Sequence, residues 1–112
     1  MKRSQLGELE ELVLLTVGSL YEEAYAVAIL NVIKEQTGRN IDVTAIHSVL
    51  RRLEKKGFIT SSMGGATQER GGRRKKLFVL SQAGRRALDE SMEVRMALYN
   101  KMPKLAFARI AS

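Results

Sequence analysis

The chain of 112 residues has the length of a single domain, and its 45% hydrophobic and 28% charged content is that of a globular protein, which excludes a disordered tail. Its 19 lysines and arginines outnumber its 12 acidic residues and give a net charge of +7, which favours an acidic polymer or an anionic surface as partner. The absence of cysteine excludes disulfides and thiolate chemistry and is compatible with an intracellular protein.

The N-terminal segment predicts a first helix rather than a signal peptide, because glutamates interrupt its apolar run and no small-residue cleavage site ends it. The longest apolar runs are far shorter than the ~18 residues that span a bilayer, so a soluble, cytoplasmic protein without membrane contact is expected. Apolar residues at helical spacing should face a core. They are Leu9, Leu12, Val13, Thr16, Val17 and Leu20.

Two further helices are predicted before the middle of the chain. The second runs from about Tyr25 to Thr37, with Gly38 as a left-handed C-terminal cap. A short extended strand, Asn40 to Val43, leads to Asp42 or Thr44 as N-cap of the third helix, which Gly57 ends. The predicted apolar sides are Tyr25, Ile29, Val32, Ile33 and Gln36 in the second helix, and Ile46, Val49, Leu50 and Leu53 in the third.

The remainder of the chain predicts a hairpin and a final helix. The segments Phe58–Met63 and Leu77–Leu80 should pair as strands around a Gly/Arg-rich loop, Gly64 to Lys76. Ser81 caps a helix that continues at least to Met102 and is ended or kinked by Pro103. The predicted fold is mainly α with a small β-hairpin: a winged helix-turn-helix domain over residues 1–80, and a C-terminal dimerisation helix and tail over residues 81–112.

The third helix carries the first candidate functional surface. Opposite its apolar stripe lie Thr44, Ser48, Arg51 and Lys55, flanked by His47 and Arg52. Hydroxyls near the start of a helix and arginines further along suit the major groove of DNA, where arginine pairs bidentately with guanine. A solvated helix surface is the competing interpretation.

The hairpin loop carries the second candidate surface, since five of the seven residues from Arg70 to Lys76 are basic and none is acidic. Glycines among them let the backbone approach a phosphate, and long cationic side chains displace counterions from a duplex. The basic residues are Arg70, Arg73, Arg74, Lys75 and Lys76. A flexible, solubilising loop is the alternative.

Four segments resemble the PadR-like winged-helix transcriptional regulators, over about Leu6 to Leu88. They read LGELEELVLLTVGSL, EEAYAVAIL, AIHSVLRRLEKKGFI and ERGGRRKKLFVLSQAGRRAL, and the last two are the specific ones. The resemblance implies a homodimer that binds an inverted repeat in double-stranded DNA, most often as a repressor, with the third helix in the major groove and the wing on the backbone or minor groove. It assigns DNA contacts to Thr44, His47, Ser48, Arg51, Arg73 and Arg74.

His47 departs from the family pattern, which usually has tyrosine at this position. It is the only histidine, so no metal site of histidine and cysteine is predicted. A DNA contact, a plain exposed side chain and a pH switch remain as its three interpretations.

The C-terminal helix is predicted to form the dimer interface together with the first helix. Apolar residues recur along it at spacings of four and three, interrupted by Arg95, and a domain this small has little room to bury them. Intramolecular packing is the alternative. The predicted interface residues are Leu9, Leu88, Met92, Met96, Tyr99 and Met102.

The resemblance also implies a small-molecule effector at the dimer interface in some family members, often against tryptophan, which this chain lacks. The methionines Met92, Met96 and Met102 fit either an adaptable pocket or ordinary core packing.

No Walker loop, nucleophile motif or paired catalytic carboxylates are found, so neither enzyme activity nor a cofactor is predicted. A winged helix that binds protein or RNA without operator recognition is the alternative function.

Overall fold

The computed structural model describes residues 6–64 and 75–103, which form four α-helices and one antiparallel hairpin. In chain order these are α1 (Glu8–Leu20), α2 (Ala26–Thr37), α3 (Val43–Lys55), β1 (Ile59–Met63), β2 (Lys76–Leu80) and α4 (Gln82–Asn100). A single 3₁₀ turn, Tyr21–Glu23, joins α1 to α2. The predicted mainly helical winged helix-turn-helix fold is confirmed.

Local signals place the helix ends. Asp42 is the N-cap of α3 in extended conformation, and Gly38 ends α2 in the left-handed region with φ 70°. Gly57 follows α3 with φ 81°, another conformation that side chains disfavour. Ser81 caps α4, because its hydroxyl oxygen accepts a hydrogen bond from the Gly84 N–H at 3.0 Å.

The core lies between the first three helices and the hairpin. Its centre is apolar throughout, and the partly buried Leu9 packs against it. Leu88 shows that the first turns of α4 belong to this core as well. The buried hydrophobic residues are Val13, Leu14, Val17, Ala24, Ile29, Ile33, Ile46, Val49, Leu50, Leu53, Ile59, Phe78, Ala87 and Leu88.

Backbone contacts fix the hairpin to the helices. The strands pair from Ile59 opposite Leu80 to Met63 opposite Lys76. The Phe78 N–H donates to the Ala24 carbonyl at 3.0 Å, which ties β2 to the start of α2. At the other end, a Cβ on Gly84 would lie 2.1 Å from the Phe58 carbonyl oxygen, so only glycine allows α4 to begin this close to β1.

Three sequence expectations differ from the structure. Asn40–Val43 is not a strand: residues 40–42 are irregular, and Val43 already begins α3, whose first backbone hydrogen bonds run to the Asp42 carbonyl. Helix α4 ends at Asn100, short of the predicted Met102. Gln36, which was predicted on the apolar side of the second helix, is exposed near the C-terminal end of α2.

Candidate nucleic-acid interface

The central element of the candidate site is α3, whose two sides have opposite character. Its apolar side is held in the core, with Ile46 and Leu53 fully buried. The opposite side is polar and cationic. Thr44, His47, Arg51, Arg52 and Lys55 are exposed on it, and Ser48 is half-buried. Burial of the apolar side therefore fixes which side chains α3 presents outward.

One flank of α3 is held by the first helix. Glu10 is buried, and its carboxylate accepts hydrogen bonds from Lys56 Nζ at 3.0 Å and from Arg52 Nε at 3.3 Å. Burial alone raises the pKa of the Glu10 carboxyl, but the Gly7 N–H, the Lys56 ammonium and the Arg52 guanidinium outweigh burial and hold that pKa below its ordinary value. Arg52 is thus engaged at the side of the helix, away from the centre of its outward face.

The opposite flank of α3 contacts the hairpin. The Glu54 carboxylate accepts a hydrogen bond from the Ser61 hydroxyl at 2.7 Å and lies 4.0 Å from Lys76 Nζ. These contacts join α3 to both strands. Helix α3 and the hairpin of β1 and β2, which is the wing of this fold, consequently form one unit.

A cleft of about 310 Å³ lies between α2, α3 and the base of the wing, where Lys75 and Lys76 lie at the start of β2. Lys75 Nζ lies 5.0 Å from the centre of the Tyr25 ring, within the range of a cation–π contact. His47 and Arg51 line the α3 side of the same cleft. Cations from two separate elements therefore meet around one concave surface.

This arrangement can accept a polyanion. Arg51 and Lys75 line the same cleft, and Lys55 is exposed one turn further along α3, so positive charge is concentrated on this side of the molecule. Helix α3 is held by its apolar side, which leaves its outward side chains available to base edges in a major groove.

The described residues bring some of the predicted site together. Lys75 reaches the α3 side of the molecule, as expected if wing and helix contact one partner. Arg70, Arg73 and Arg74 lie outside the described residues. The sequence prediction missed Tyr25 and Glu10 at this surface. Glu10 is 42 residues from Arg52, and nothing local in the sequence could have paired them.

The predicted dimer residues divide into two groups. Leu88, at 6% exposure, is in the core of its own protomer, and Leu9 packs against that core. Met92 is half-buried, whereas Met96, Tyr99 and Met102 are exposed. Val94 and Leu98 are also exposed on the C-terminal half of α4.

Other kinds of site are not found in the described part of the chain. Residues 6–64 and 75–103 contain no group of three or more metal-ligating side chains. No helix within these ranges has both the length and the apolar character that crossing a bilayer requires.

Comparison with known structures gives the same fold. A Streptococcus transcriptional regulator matches with a TM-score of 0.68 and 25% identity, over 83% of this chain and 86% of the other. A PadR family transcriptional regulator from Eggerthella lenta matches with a TM-score of 0.65 and 26% identity, over 88% and 86%. Bacillus subtilis PadR, solved in complex with operator DNA, matches with a TM-score of 0.61 and 21% identity, over 76% of this chain and 46% of that one.

Among proteins of curated function, none matches significantly. The family model described as "Transcriptional regulator PadR-like family" matches residues 12–90, which include α3, both strands and the core turns of α4. Since this match spans well over half of the 112 residues, the resemblance drawn from the sequence is confirmed. The chain belongs to the PadR-like family of transcriptional regulators.

Proposed function

We propose that this protein is a homodimeric repressor that binds an inverted repeat in double-stranded DNA. One observation carries the proposal: α3 buries its apolar side completely and turns a cationic side outward, beside Lys75 of the wing. The structure of Bacillus subtilis PadR with operator DNA supports the same use of the fold.

Within this proposal the outward residues of α3 have separate roles. Thr44, Ser48 and Arg51 contact base edges, while His47 and Lys55 lie beside them against the backbone. Lys75 holds a phosphate at the base of the wing. Arg70, Arg73 and Arg74 contact the backbone further along the wing, an assignment that rests on sequence alone. Arg52 acts chiefly through its pairing with Glu10.

The proposed dimer uses the C-terminal half of α4. Every residue from Glu93 to Asn100 is exposed in the protomer, and this stretch includes three large apolar side chains at about 60% exposure, Val94, Leu98 and Tyr99. Such a surface is typical of a subunit interface. A two-fold pair would place its recognition helices about 34 Å apart, one turn of B-DNA. An effector at this interface stays a prediction.

The test measures the affinity for a duplex as a function of salt, followed by selection of the preferred sequence from a random pool. If about five phosphates are neutralised, the affinity should fall with a log–log slope of roughly −4 to −5. A slope near zero would overturn the proposal and favour a protein-binding module, and preferential binding of RNA would favour an RNA-binding module.

Sequence readout is tested separately by Arg51→Ala. Because the proposed homodimer loses a bidentate arginine from each half-site, the substitution should cost about 2–6 kcal/mol on the selected duplex and relax the preference at one base position in each half-site. The charge-matched control is Arg86→Ala, which removes an exposed arginine from α4. If both variants lose affinity equally on every duplex, α3 does not read sequence.

A further inference from the structure

We propose that Glu10 is a positioning residue that restrains Arg52 on one flank of α3 and thereby limits attraction to non-specific DNA. This inference rests on the proposed function and adds to it a determinant of specificity that lies outside the DNA-facing surface. Glu10 lies on α1 and makes its contacts at the side of the recognition helix.

The contacts of Glu10 are numerous for one carboxylate. Oε1 accepts from the Gly7 N–H at 2.9 Å and from Lys56 Nζ at 3.0 Å, and Oε2 accepts from Arg52 Nε at 3.3 Å and from Lys56 Nζ at 3.1 Å. The Glu10 side chain is 8% exposed, whereas the Arg52 side chain is 56% exposed. A fixed negative charge thus holds a guanidinium that otherwise has room to move.

The position of Arg52 explains why this restraint matters. Arg52 follows Arg51 directly, so at about 100° per residue its side chain leaves α3 about 100° from that of Arg51. Unrestrained, a long guanidinium at the rim of a cationic face can reach any phosphate nearby. Non-specific affinity depends on how many phosphates are neutralised, whereas specificity depends on base contacts. Holding Arg52 therefore lowers non-specific affinity without loss of base contacts.

Glu11 provides a matched control in the next position of the same helix. It is 8% exposed, close to the value for Glu10, but it binds α4: it accepts from the Ser91 hydroxyl at 2.9 Å and pairs with Arg95 Nη2 at 3.1 Å. Glu10→Gln and Glu11→Gln each raise the net charge from +7 to +8. The first variant releases Arg52 on α3, whereas the second releases Arg95 on α4.

The experiment compares the two variants with the unmodified protein on a random-sequence duplex, titrated by fluorescence anisotropy over a range of salt. Because the proposed homodimer carries two copies of Arg52, Glu10→Gln should steepen the log–log slope by about 1.8, the value for two additional phosphate contacts, so a tenfold dilution of salt strengthens its binding roughly 60-fold more than wild type. Its ratio of specific to non-specific affinity should fall. Glu11→Gln should leave the slope unchanged.

Two results would overturn the inference. One is a wild-type slope in Glu10→Gln; the other is an equally steep slope in Glu11→Gln, which would assign the effect to net charge alone. The double variant Glu10→Gln/Arg52→Gln should return the slope to the wild-type value, and a slope still as steep would overturn the role of Arg52. Failure of the wild type to bind any duplex would overturn the proposed function and this inference with it.

A measurement on the unmodified protein covers the case in which Glu10→Gln does not fold. The ¹⁵N NMR signal of Arg52 Nε should keep its position when the random duplex is added, because the pair with Glu10 persists. A shift of this signal on binding, with the Arg86 Nε signal as reference, would show that Arg52 leaves Glu10 for a phosphate and would overturn the inference.

Discussion

Helices α3 and α4 are both amphipathic, yet they present opposite sides to the surroundings. Helix α3 buries its apolar residues and exposes arginine and lysine. Helix α4 buries Ala87 and Leu88 in its first turns and then exposes large apolar residues along its second half. The difference fits the two partners proposed above, a polyanion for α3 and an apolar surface of a second protomer for α4.

The two halves of α4 differ in what surrounds them. The first turns of α4 are fixed by Ser81 and by the approach of Gly84 to Phe58. The exposed half keeps an ion pair between Arg95 and Glu11, but its apolar residues have no such support from α1. Stability of the protomer and association of protomers should therefore separate by position along α4.

The largest expected change in the free energy of unfolding comes from a substitution on the buried side of α3. Leu53→Ala, at a fully buried position, should lower the free energy of unfolding by about 2–5 kcal/mol, because it removes apolar contacts and leaves a cavity. Urea unfolding followed by circular dichroism measures the loss. The control, Arg86→Ala at an exposed position of α4 outside the proposed interface, should change the free energy of unfolding by less than about 0.5 kcal/mol. Equal losses would remove the distinction between the two helices.

The next effect concerns the exposed half of α4. Leu98→Lys places a charge in the proposed interface and should weaken dimerisation by roughly 100-fold, equivalent to about 2.7 kcal/mol, because the ammonium would lose its water. Light scattering over a dilution series measures it. Gln36→Lys, which adds the same charge to an exposed position on α2, is the control. A wild type that is monomeric at micromolar concentration would contradict the dimer proposal.

The smallest effect is the contribution of Glu10 to stability at low pH. Since its folded-state pKa lies below the ordinary value of 4.5, its charge stabilises the protein fully above about pH 4.5, and this stabilisation is lost as the pH falls through the folded-state pKa. The difference in unfolding free energy between wild type and Glu10→Gln should therefore narrow from pH 6 to pH 3. A constant difference would show that the Glu10 charge does not support the flank of α3.

Much of the fold follows from local sequence signals. The buried stripe Ile46, Val49, Leu50 and Leu53 and the caps Gly38 and Ser81 were predictable because helical periodicity and capping act within a few residues. For the N-cap of α3 the sequence left Asp42 and Thr44 as alternatives, and the structure has Asp42 there. The short strand at Asn40–Val43 was wrong, since propensity alone cannot supply a neighbouring strand.

The candidate site was only partly predictable for the same reason. The polar side of α3 follows from its own periodicity. The pairing of Glu10 with Arg52 and the placing of Lys75 over Tyr25 join distant segments, so tertiary packing alone creates them. Leu88 illustrates the reverse case: its spacing fits a dimer seam, yet the protomer buries it, because the first turns of α4 lie close enough to reach the core.

The contact at Gly84 has a mechanical consequence. Because a Cβ there would collide with the Phe58 carbonyl, α4 is anchored where it begins, against a residue that lies just after the end of α3. From Gly84 to Asn100 the helix extends about 24 Å, so a tilt of about 10° at the anchor displaces its far end by about 4 Å. A small change of angle at one glycine would therefore be magnified into a change in the reach between two joined subunits.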